Sequence, residues 1–120
     1  MAYDPNNIFA RILRNEIPCK KVYEDQFVLA FHDIQPQAPV HVLVIPKGAY
    51  VSFDDFSTKA STEEIAAFVR AAGQIARDLG VAEPGYRILA NTGANGGQEV
   101  PHFHLHLFAG RPLGRMIAGD

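Results

Sequence analysis

The chain is poor in the residues that mark several common classes of protein. Its 120 residues include one cysteine and no tryptophan. A single cysteine cannot form an internal disulfide, which excludes a disulfide-stapled scaffold and favours a reducing compartment. We expect Cys19 to be a half-buried packing residue rather than a reactive thiol. The formal net charge is only −2 at pH 7, so no strongly basic surface predicts a nucleic-acid partner.

Long apolar runs are absent as well. No segment approaches the roughly 18 apolar residues that a membrane-spanning helix needs. The start of the chain lacks the apolar core of a secretory signal, because Asp4-Pro5-Asn6-Asn7 stands where that core would begin. We therefore expect a cytoplasmic protein without a membrane partner. The hydrophobic fraction of 48% is enough for the core of a single domain.

The succession of apolar and polar residues predicts one antiparallel α+β domain. The predicted elements are a helix from Asp4 and Pro5 that stops before Pro18, strands over residues 20–24, 27–32 and 41–46, a long helix from Ser61 to Gly80, and strands over residues 86–91 and 102–108. This order does not suit a repeated parallel βαβ array. It suits an antiparallel sheet with the helices gathered on one side, and open sheet edges often pair with a second copy.

Two segments of this outline carry further expectations. The strand over residues 41–46 is almost entirely apolar, which predicts burial on both of its faces. Residues 47–61 are polar and irregular. We expect Phe53 and Phe56 to anchor this irregular segment to the core.

The most informative segment is His-Phe-His-Leu-His-Leu-Phe at residues 102–108. Its alternation predicts a half-buried strand with His102, His104 and His106 on one face. Such a face could be a solvated surface, a zinc site or a catalytic group. Exposed strand faces usually carry other polar residues, and side chains side by side on one strand do not readily converge on one ion. The pattern therefore favours catalysis, with one imidazole aimed at a substrate and the others holding it.

Three other features could complete a site around these histidines. The glycine-rich loop over residues 92–98 runs towards them, and its glycines allow backbone N–H groups to approach an anion such as phosphate. Asp33 could bind the vicinal hydroxyls of a ribose, or could simply begin the turn before Pro36. His41 opens an apolar strand and is either a buried core residue or a further catalytic residue.

These residues resemble the histidine-triad (HIT) superfamily, whose signature is His-φ-His-φ-His-φ-φ with φ apolar. Residues 102–108 match that signature at every position. Other segments resemble its nucleotide-binding Hint branch, namely residues 8–9, 30–34, 36–39, 44–47, 79–80, 86–87 and 96–98, with His41 and Asn91. The resemblance spans about residues 5–111. It implies a single HIT domain over residues 1–120, with a C-terminal tail at residues 112–120.

The resemblance implies a fold and an activity. The fold is a five-stranded antiparallel sheet with two helices, and two copies join into a homodimer with a ten-stranded sheet. The activity is that of a purine nucleoside phosphoramidase, which cleaves the P–N bond of AMP-type or GMP-type nucleotides joined to an amine. It requires neither a cofactor nor a metal.

The resemblance also assigns roles to residues. His104 would be the nucleophile that forms a nucleotidyl-histidine intermediate. His102 and His106 would hold the phosphate and fix the tautomer of His104, and His41 would join this cluster. Asp33 would contact the ribose. The other expected substrate contacts are Phe31, Ile34, Ile8 and Phe9 around the base, and Asn91, Gly97, Gln98 and the backbone near Val100 at the phosphate.

The chain departs from the best-known Hint proteins at two places. Glu99 stands where they usually carry a serine that is thought to assist the leaving amine. A carboxyl group could protonate that amine or could repel anionic substrates. The tail after Arg111 lacks the tryptophan of animal members. A dinucleoside polyphosphate hydrolase, a purine-nucleotide-binding module with incidental catalysis and a zinc protein remain the alternative hypotheses.

Overall fold

The computed structural model describes residues 2–118 and contains the expected five-stranded antiparallel sheet. Its strands are β1 (Lys21–Glu24), β2 (Val28–His32), β3 (Val40–Pro46), β4 (Tyr86–Leu89) and β5 (Leu105–Ala109). Its helices are α1 (Ile8–Leu13), α2 (Phe53–Lys59), α3 (Thr62–Asp78) and the single turn α4 (Gly93–Gly96). The strand order β1-β2-β3-β5-β4 places β3 and β5 side by side and leaves β1 and β4 as edges.

One face of the sheet packs against α3. The side chains of Val42, Val44 and Leu107 are fully buried on this face. They belong to the same core cluster as Phe68 and Ile75 of α3. This cluster is the larger of two, and it fixes the central strands against the long helix.

The opposite face of the sheet packs against α1. Leu43 and Ile45 of β3 form a second core cluster with Phe9 and Ile12 of α1. The prediction that the helices lie on one side is therefore wrong. Because β3 is apolar on both faces, as predicted, the short α1 can bury its own apolar side on the face that α3 leaves uncovered.

The start of α1 differs from the prediction. Asn7, and not Asp4, is the N-cap, since its Oδ1 accepts the N–H of Ala10 at 2.9 Å. The Asp4 carboxylate instead accepts the N–H of Asn6 at 2.9 Å and closes a turn before the helix. Both residue types can cap a helix. Asn7 is held at both ends, because its side-chain amide also donates to the Asp4 carbonyl at 2.7 Å.

Residues 47–61 are more ordered than expected, because α2 lies within them. Ser52 caps this helix, since its side-chain hydroxyl accepts the N–H of Asp55 at 3.3 Å. Phe56 is buried and stacks on Phe103 with a centroid separation of 5.0 Å, so it is an anchor as predicted. Phe53 is 55% exposed and meets Phe103 only edge-on, at a centroid distance of 5.8 Å, so it contacts the core without being buried in it.

The predicted boundaries of α3 hold, and its length bears on the membrane question. The side chains of Ser61 and Glu64 form a reciprocal capping box at its start. Gly80 follows its last turn with a φ of +73°, as a helix C-terminal glycine does. Neither α3 nor any other helix within residues 2–118 combines the length and the apolar character needed to cross a bilayer.

The histidine segment is only partly a strand. Strand β5 begins at Leu105, so His102 and His104 precede it. Two features keep these residues out of the sheet. Pro101 has no N–H to donate, and the N–H of Phe103 donates to the Tyr50 carbonyl at 2.7 Å instead of to a neighbouring strand. The alternation nevertheless persists, and Phe103 packs in the core cluster on the α3 side of the sheet.

Candidate active site

The main chain holds His104 in one orientation. Its Nδ1 lies 2.8 Å from the carbonyl oxygen of His102. Because a carbonyl oxygen only accepts, Nδ1 carries the ring proton and Nε2 keeps its lone pair. The ring also packs edge-on against Phe9 at a centroid distance of 4.9 Å. A neutral imidazole held in this way can act as a nucleophile through Nε2.

A second histidine pair fixes the orientation of His106. The Nε2 of His41 lies 2.9 Å from the Nδ1 of His106. The backbone N–H of Gln37 donates to the Nδ1 of His41 at 3.1 Å, so the single proton of a neutral His41 is on Nε2. His41 therefore donates to His106, which carries its own proton on Nε2. That proton is a donor suited to a phosphate oxygen.

Burial keeps these rings neutral. Removal from water, together with the neighbouring His104 and His41, lowers the pKa of His106 to about 4. Burial also lowers the pKa of His104 and of His41, although the charge of Asp33 acts in the opposite direction on both. At neutral pH these imidazoles are neutral, each with one ring proton and one lone pair, which is the form that a nucleophile requires.

A cavity of about 150 Å³ lies beside the histidines. It is lined by Phe9, Asp33, Gln37, Leu43, Asn91, Gly97, Glu99, Val100, His104 and His106. The structure thus brings most of the predicted site residues around one space. This space is large enough for a phosphoryl group.

Asp33 connects this cavity to a larger open groove. The groove measures about 670 Å³ and is lined by Pro18, Cys19, Lys20, His32, Asp33 and Ile34. One carboxylate oxygen of Asp33 accepts the N–H of Gln35 at 2.8 Å, and the other lies 3.4 Å from the Nε2 of His41. A carboxylate has about four lone-pair sites, so Asp33 can form the turn and still accept from hydroxyl groups.

The four residues expected around a base separate in the structure. Phe9 lines the small cavity and Ile34, which is 89% exposed, lines the open groove. Phe31 is buried and packs edge-on against Phe9, with the ring centroids 5.7 Å apart, so it holds the Phe9 ring in place without lining either space. Ile8 is exposed and lines neither space. Of these four residues, Phe9 and Ile34 line the two spaces, and contact of any of the four with a base stays a prediction.

The ring of His102 does not line the cavity. It is fully buried, with Nε2 at 2.9 Å from the Pro46 carbonyl oxygen and Nδ1 at 2.6 Å from the Tyr3 hydroxyl. Because both nitrogens are engaged within the protein, the expectation that this ring holds a phosphate is wrong. The other half of the expectation has a structural basis, since the carbonyl of His102 fixes the tautomer of His104.

The glycine-rich loop is braced internally. The amide of Gln98 donates to the carbonyls of Val51 at 2.6 Å and Val100 at 3.0 Å. Its Oε1 accepts the N–H of Gly93 at 3.2 Å, and the N–H of Gly97 donates inside the loop as well. The N–H groups of Gly93 and Gly97 are therefore already bonded inside the loop. This differs from the prediction that they are free to bind a phosphate. Gln98 shapes the cavity wall without lining it.

Sequence reasoning missed three residues that shape this site. Gln37 acts through its N–H, and its position four residues before His41 in a proline-rich loop was the available signal. Leu43 follows His41 by two residues in a strand, so alternation alone places both on one face. Tyr3 lies 99 residues from His102, and no local pattern signals that contact.

The zinc hypothesis takes a different form in the structure. One ligand atom each from Asp33, His41 and His106 lies within 4.8 Å of the others. The two imidazole nitrogens are 2.9 Å apart, which is a hydrogen-bonding distance. Two nitrogen ligands of one tetrahedral zinc ion would lie about 3.3 Å apart. The observed geometry is that of a hydrogen-bonded pair with a proton between the rings.

Comparison with known proteins agrees with this geometry. The family model described as "HIT domain" matches residues 14–113. The chain belongs to the HIT domain family. An uncharacterized HIT-like protein of Azospirillum brasilense is 68% identical over 115 residues, covering 96% of this chain and 94% of the relative. The purine nucleoside phosphoramidase of Escherichia coli is 47% identical over 111 residues, covering 92% of each protein.

A solved structure supports both the fold and the class of enzyme. The HIT family hydrolase of Legionella pneumophila superposes with a TM-score of 0.85 at 42% identity, covering 91% of this chain and 96% of that one. The expected family and the expected antiparallel fold are confirmed. The chain is a hydrolase of the HIT family.

Proposed function

We propose that this chain is a purine nucleoside phosphoramidase that hydrolyses the P–N bond of adenosine 5′-phosphoramidates and related AMP-type or GMP-type conjugates. One observation carries the proposal. The His102 carbonyl fixes the proton of His104 on Nδ1, which leaves a neutral Nε2 as a nucleophile at a cavity large enough for a phosphoryl group. The 47% identical E. coli relative, which is named for this activity, supports the same conclusion.

The first step forms a covalent intermediate. The Nε2 of His104 attacks the α-phosphorus, a new P–N bond to the imidazole forms, and the P–N bond to the substrate amine breaks. The departing nitrogen takes up a proton from solvent on the side of the cavity that Glu99 lines. The imidazole becomes positively charged, and the carbonyl of His102 at 2.8 Å stabilises that charge.

The second step releases the nucleotide. A water molecule attacks the phosphorus, the bond to Nε2 breaks, and the neutral ring of His104 returns while the proton of the water passes to solvent. His106 donates from Nε2 to a phosphate oxygen in both steps, because His41 holds its other nitrogen as an acceptor.

The charges around the cavity favour amine leaving groups over polyphosphates. Among its described lining residues two are carboxylates, Asp33 and Glu99, and none is a lysine or an arginine. The histidines that line it are neutral. A polyphosphate leaving group would place further negative charge near these carboxylates, whereas an amine leaves neutral or cationic. These charges therefore disfavour a dinucleoside polyphosphate as the substrate.

We also propose that the chain is a homodimer. The edge strand β4 has no neighbour on its outer side within residues 2–118. Beside it lies an apolar groove of about 460 Å³, and its wall includes the exposed side chains of Phe53, Val69, Tyr86 and Ile88. A second copy pairing along β4 would extend the sheet to ten strands and cover these side chains.

Light scattering behind a sizing column tests the dimer. The wild type should have the mass of two chains, and Ile88→Lys should have the mass of one, because a lysine placed in the apolar groove would be buried on association. Ile117→Lys is the matched control, since Ile117 is 77% exposed and lies outside the groove. A wild type that is monomeric at micromolar concentration contradicts the proposal.

Steady-state kinetics test the activity. The substrates are a fluorogenic adenosine phosphoramidate, diadenosine triphosphate and diadenosine tetraphosphate, assayed with wild type and His104→Ala. We expect the phosphoramidate to be hydrolysed fastest and the variant to lose turnover while it still binds AMP. Preference for a diadenosine substrate would favour the polyphosphate hydrolase. Tight AMP binding without turnover would favour a nucleotide-binding module.

We also propose that the protein is located in the cytoplasm. The lone thiol, Cys19, is free, and free thiols persist in reducing compartments.

A further inference from the structure

Tyr3 contacts the catalytic segment from the far end of the chain. Its hydroxyl lies 2.6 Å from the Nδ1 of His102, and the two rings meet edge-on at a centroid distance of 5.6 Å. The contact joins residues that are 99 positions apart. None of the catalytic steps described above uses Tyr3.

The direction of this hydrogen bond follows from the other nitrogen of the ring. The Nε2 of His102 lies 2.9 Å from the carbonyl oxygen of Pro46, which can only accept. Nε2 therefore carries the proton of the neutral ring, and Nδ1 presents a lone pair. It follows that the Tyr3 hydroxyl donates to Nδ1. In the fully buried His102, both ring nitrogens are satisfied only while Tyr3 is in place.

The ring of His102 and its carbonyl belong to the same residue, and that carbonyl holds His104. The peptide unit between His102 and Phe103 is bonded at both ends. Its N–H donates to the Tyr50 carbonyl at 2.7 Å, and its oxygen accepts the Nδ1–H of His104 at 2.8 Å. Fixing the side chain of His102 restricts the rotation of this unit, and with it the position of His104.

We propose that Tyr3 is a positioning residue for the nucleophile, acting through the buried ring of His102 on the carbonyl that holds His104 in its reactive tautomer. The proposal rests on the assignment of His104 as the nucleophile in the proposed function. It makes the segment before α1 part of the catalytic apparatus, although Tyr3 itself contacts neither the cavity nor the substrate.

The variant Tyr3→Phe tests this role because it removes only the hydroxyl and keeps the edge-on ring. We expect kcat for the fluorogenic adenosine phosphoramidate to fall about tenfold, because a less well positioned His104 reaches the attacking geometry less often. KM should stay unchanged, since Tyr3 does not touch the substrate. Tyr23→Phe is the matched control, because the Tyr23 hydroxyl donates to Asp25 at 2.7 Å, in the β1–β2 hairpin.

Nitrogen NMR of the histidine rings reports which ring nitrogen carries the proton. These signals would stay unchanged if Tyr3 contributed only to stability. In the wild type, His102 should show a protonated Nε2 and an unprotonated Nδ1, and His104 should show the reverse. In Tyr3→Phe, the Nδ1 signal of His102 should shift and His104 should become a mixture of tautomers. In Tyr23→Phe both spectra should match the wild type.

Three results would overturn the proposal. A wild-type His102 protonated on Nδ1 would do so without any variant. Unchanged kcat and unchanged spectra in Tyr3→Phe would also do so. Tyr3→Phe could also lose kcat only at temperatures near its own melting temperature and regain wild-type kcat at lower temperature. That result would show that Tyr3 contributes to stability alone. If the wild type hydrolyses no nucleotide, the proposed function fails, while the spectra still decide whether Tyr3 controls these tautomers.

Discussion

The Nε2 of His41 lies 2.9 Å from the Nδ1 of His106, across the junction between two adjacent strands. This pair decides which nitrogen of His106 can donate to a phosphate. We expect His41→Ala to lower kcat by about 10- to 100-fold, the range for loss of an orienting partner. His41→Gln should recover part of the activity, because its side-chain amide can still donate. Equal activity in the alanine and glutamine variants would contradict this role.

Asp33 is the residue we expect to recognise the sugar. Asp33→Ala should weaken binding of AMP more than binding of 2′-deoxy-AMP, because only the ribonucleotide presents two vicinal hydroxyls to the carboxylate. The expected difference is about 5- to 20-fold in Kd, as for hydrogen bonds to a charged group. Calorimetric titration of both nucleotides measures it. Equal losses for the two would remove Asp33 from the ribose.

Glu99 should determine which leaving groups are accepted. Glu99→Gln removes one negative charge from the cavity wall, so kcat/KM for diadenosine tetraphosphate should rise about 3- to 10-fold relative to the phosphoramidate. Because Glu99 is exposed, this gain should shrink at high salt. Glu83→Gln removes an exposed carboxylate outside the cavity lining and should change neither ratio. A ratio that Glu99→Gln leaves unchanged argues against electrostatic selection.

Stability should depend on pH through the buried His102. Burial lowers its pKa to about 4, from 6.5 for an unperturbed histidine. Between these values the unfolded chain binds more protons than the folded chain, so the free energy of unfolding must fall as the pH decreases from 6.5. By pH 4 the loss from this residue amounts to about 3 kcal/mol. Above pH 6.5 this residue adds no pH dependence.

Urea denaturation between pH 7.5 and 5 measures this effect together with that of the other histidines whose pKa burial lowers, His106, His104 and His41. The range stays above the region in which carboxylates with lowered pKa, such as Glu24 at about 2, begin to lose their contribution. A free energy of unfolding that stays constant down to pH 5 would show that His102 titrates normally in the folded protein.

Gly110 lies close to Pro39, where the strand that carries His106 ends and the strand that carries His41 begins. It follows β5 with a φ of +101°, and a Cβ atom there would lie 2.7 Å from the Cβ of Pro39, next to the start of β3. We expect Gly110→Ala to cost about 3 kcal/mol of stability, from backbone strain and overpacking together. Gly80→Ala is the control, with a φ of +73° and nothing within 4 Å. It should cost only about 1 kcal/mol.

Thermal or urea unfolding of the two glycine variants gives the comparison. Equal losses would mean that the contact with Pro39 adds nothing to the backbone effect. A larger loss of stability in Gly110→Ala than in Gly80→Ala, together with a reduced kcat, would show that this turn also affects the positions of His41 and His106.

Local patterns predicted the parts of the fold that depend on neighbouring residues. The alternation at residues 102–108 placed Phe103 and Leu107 in the core on the α3 side. The capping box at Ser61 and Glu64 gave the start of α3. Where two local signals competed, as with Asp4 and Asn7, the sequence could not choose, because the choice depended on hydrogen bonds that form only in the turn.

The sequence predicted most of the residues that form the candidate site, but it did not predict what each of them does there. The resemblance singled out His102, His104 and His106 as one group. The structure separates them, because the chain enters β5 only at Leu105 and the ring of His102 is directed to Pro46 and Tyr3. The glycine-rich loop likewise contributes to the cavity wall, but two of its N–H groups are used within the loop.

The family, the order of the strands along the chain and the nucleophile candidate could all be read from motifs and periodicity within short segments of the sequence. The proton positions on the imidazoles follow only from the folded chain. For His102 the partners are Pro46 and Tyr3, and for His106 the partner is His41, all of them distant along the chain. The partner of His41, Gln37, is only four residues away, but it lies in a loop whose path no local pattern predicts. A ring proton is fixed by the partner at its nitrogen, and folding alone brings that partner into place.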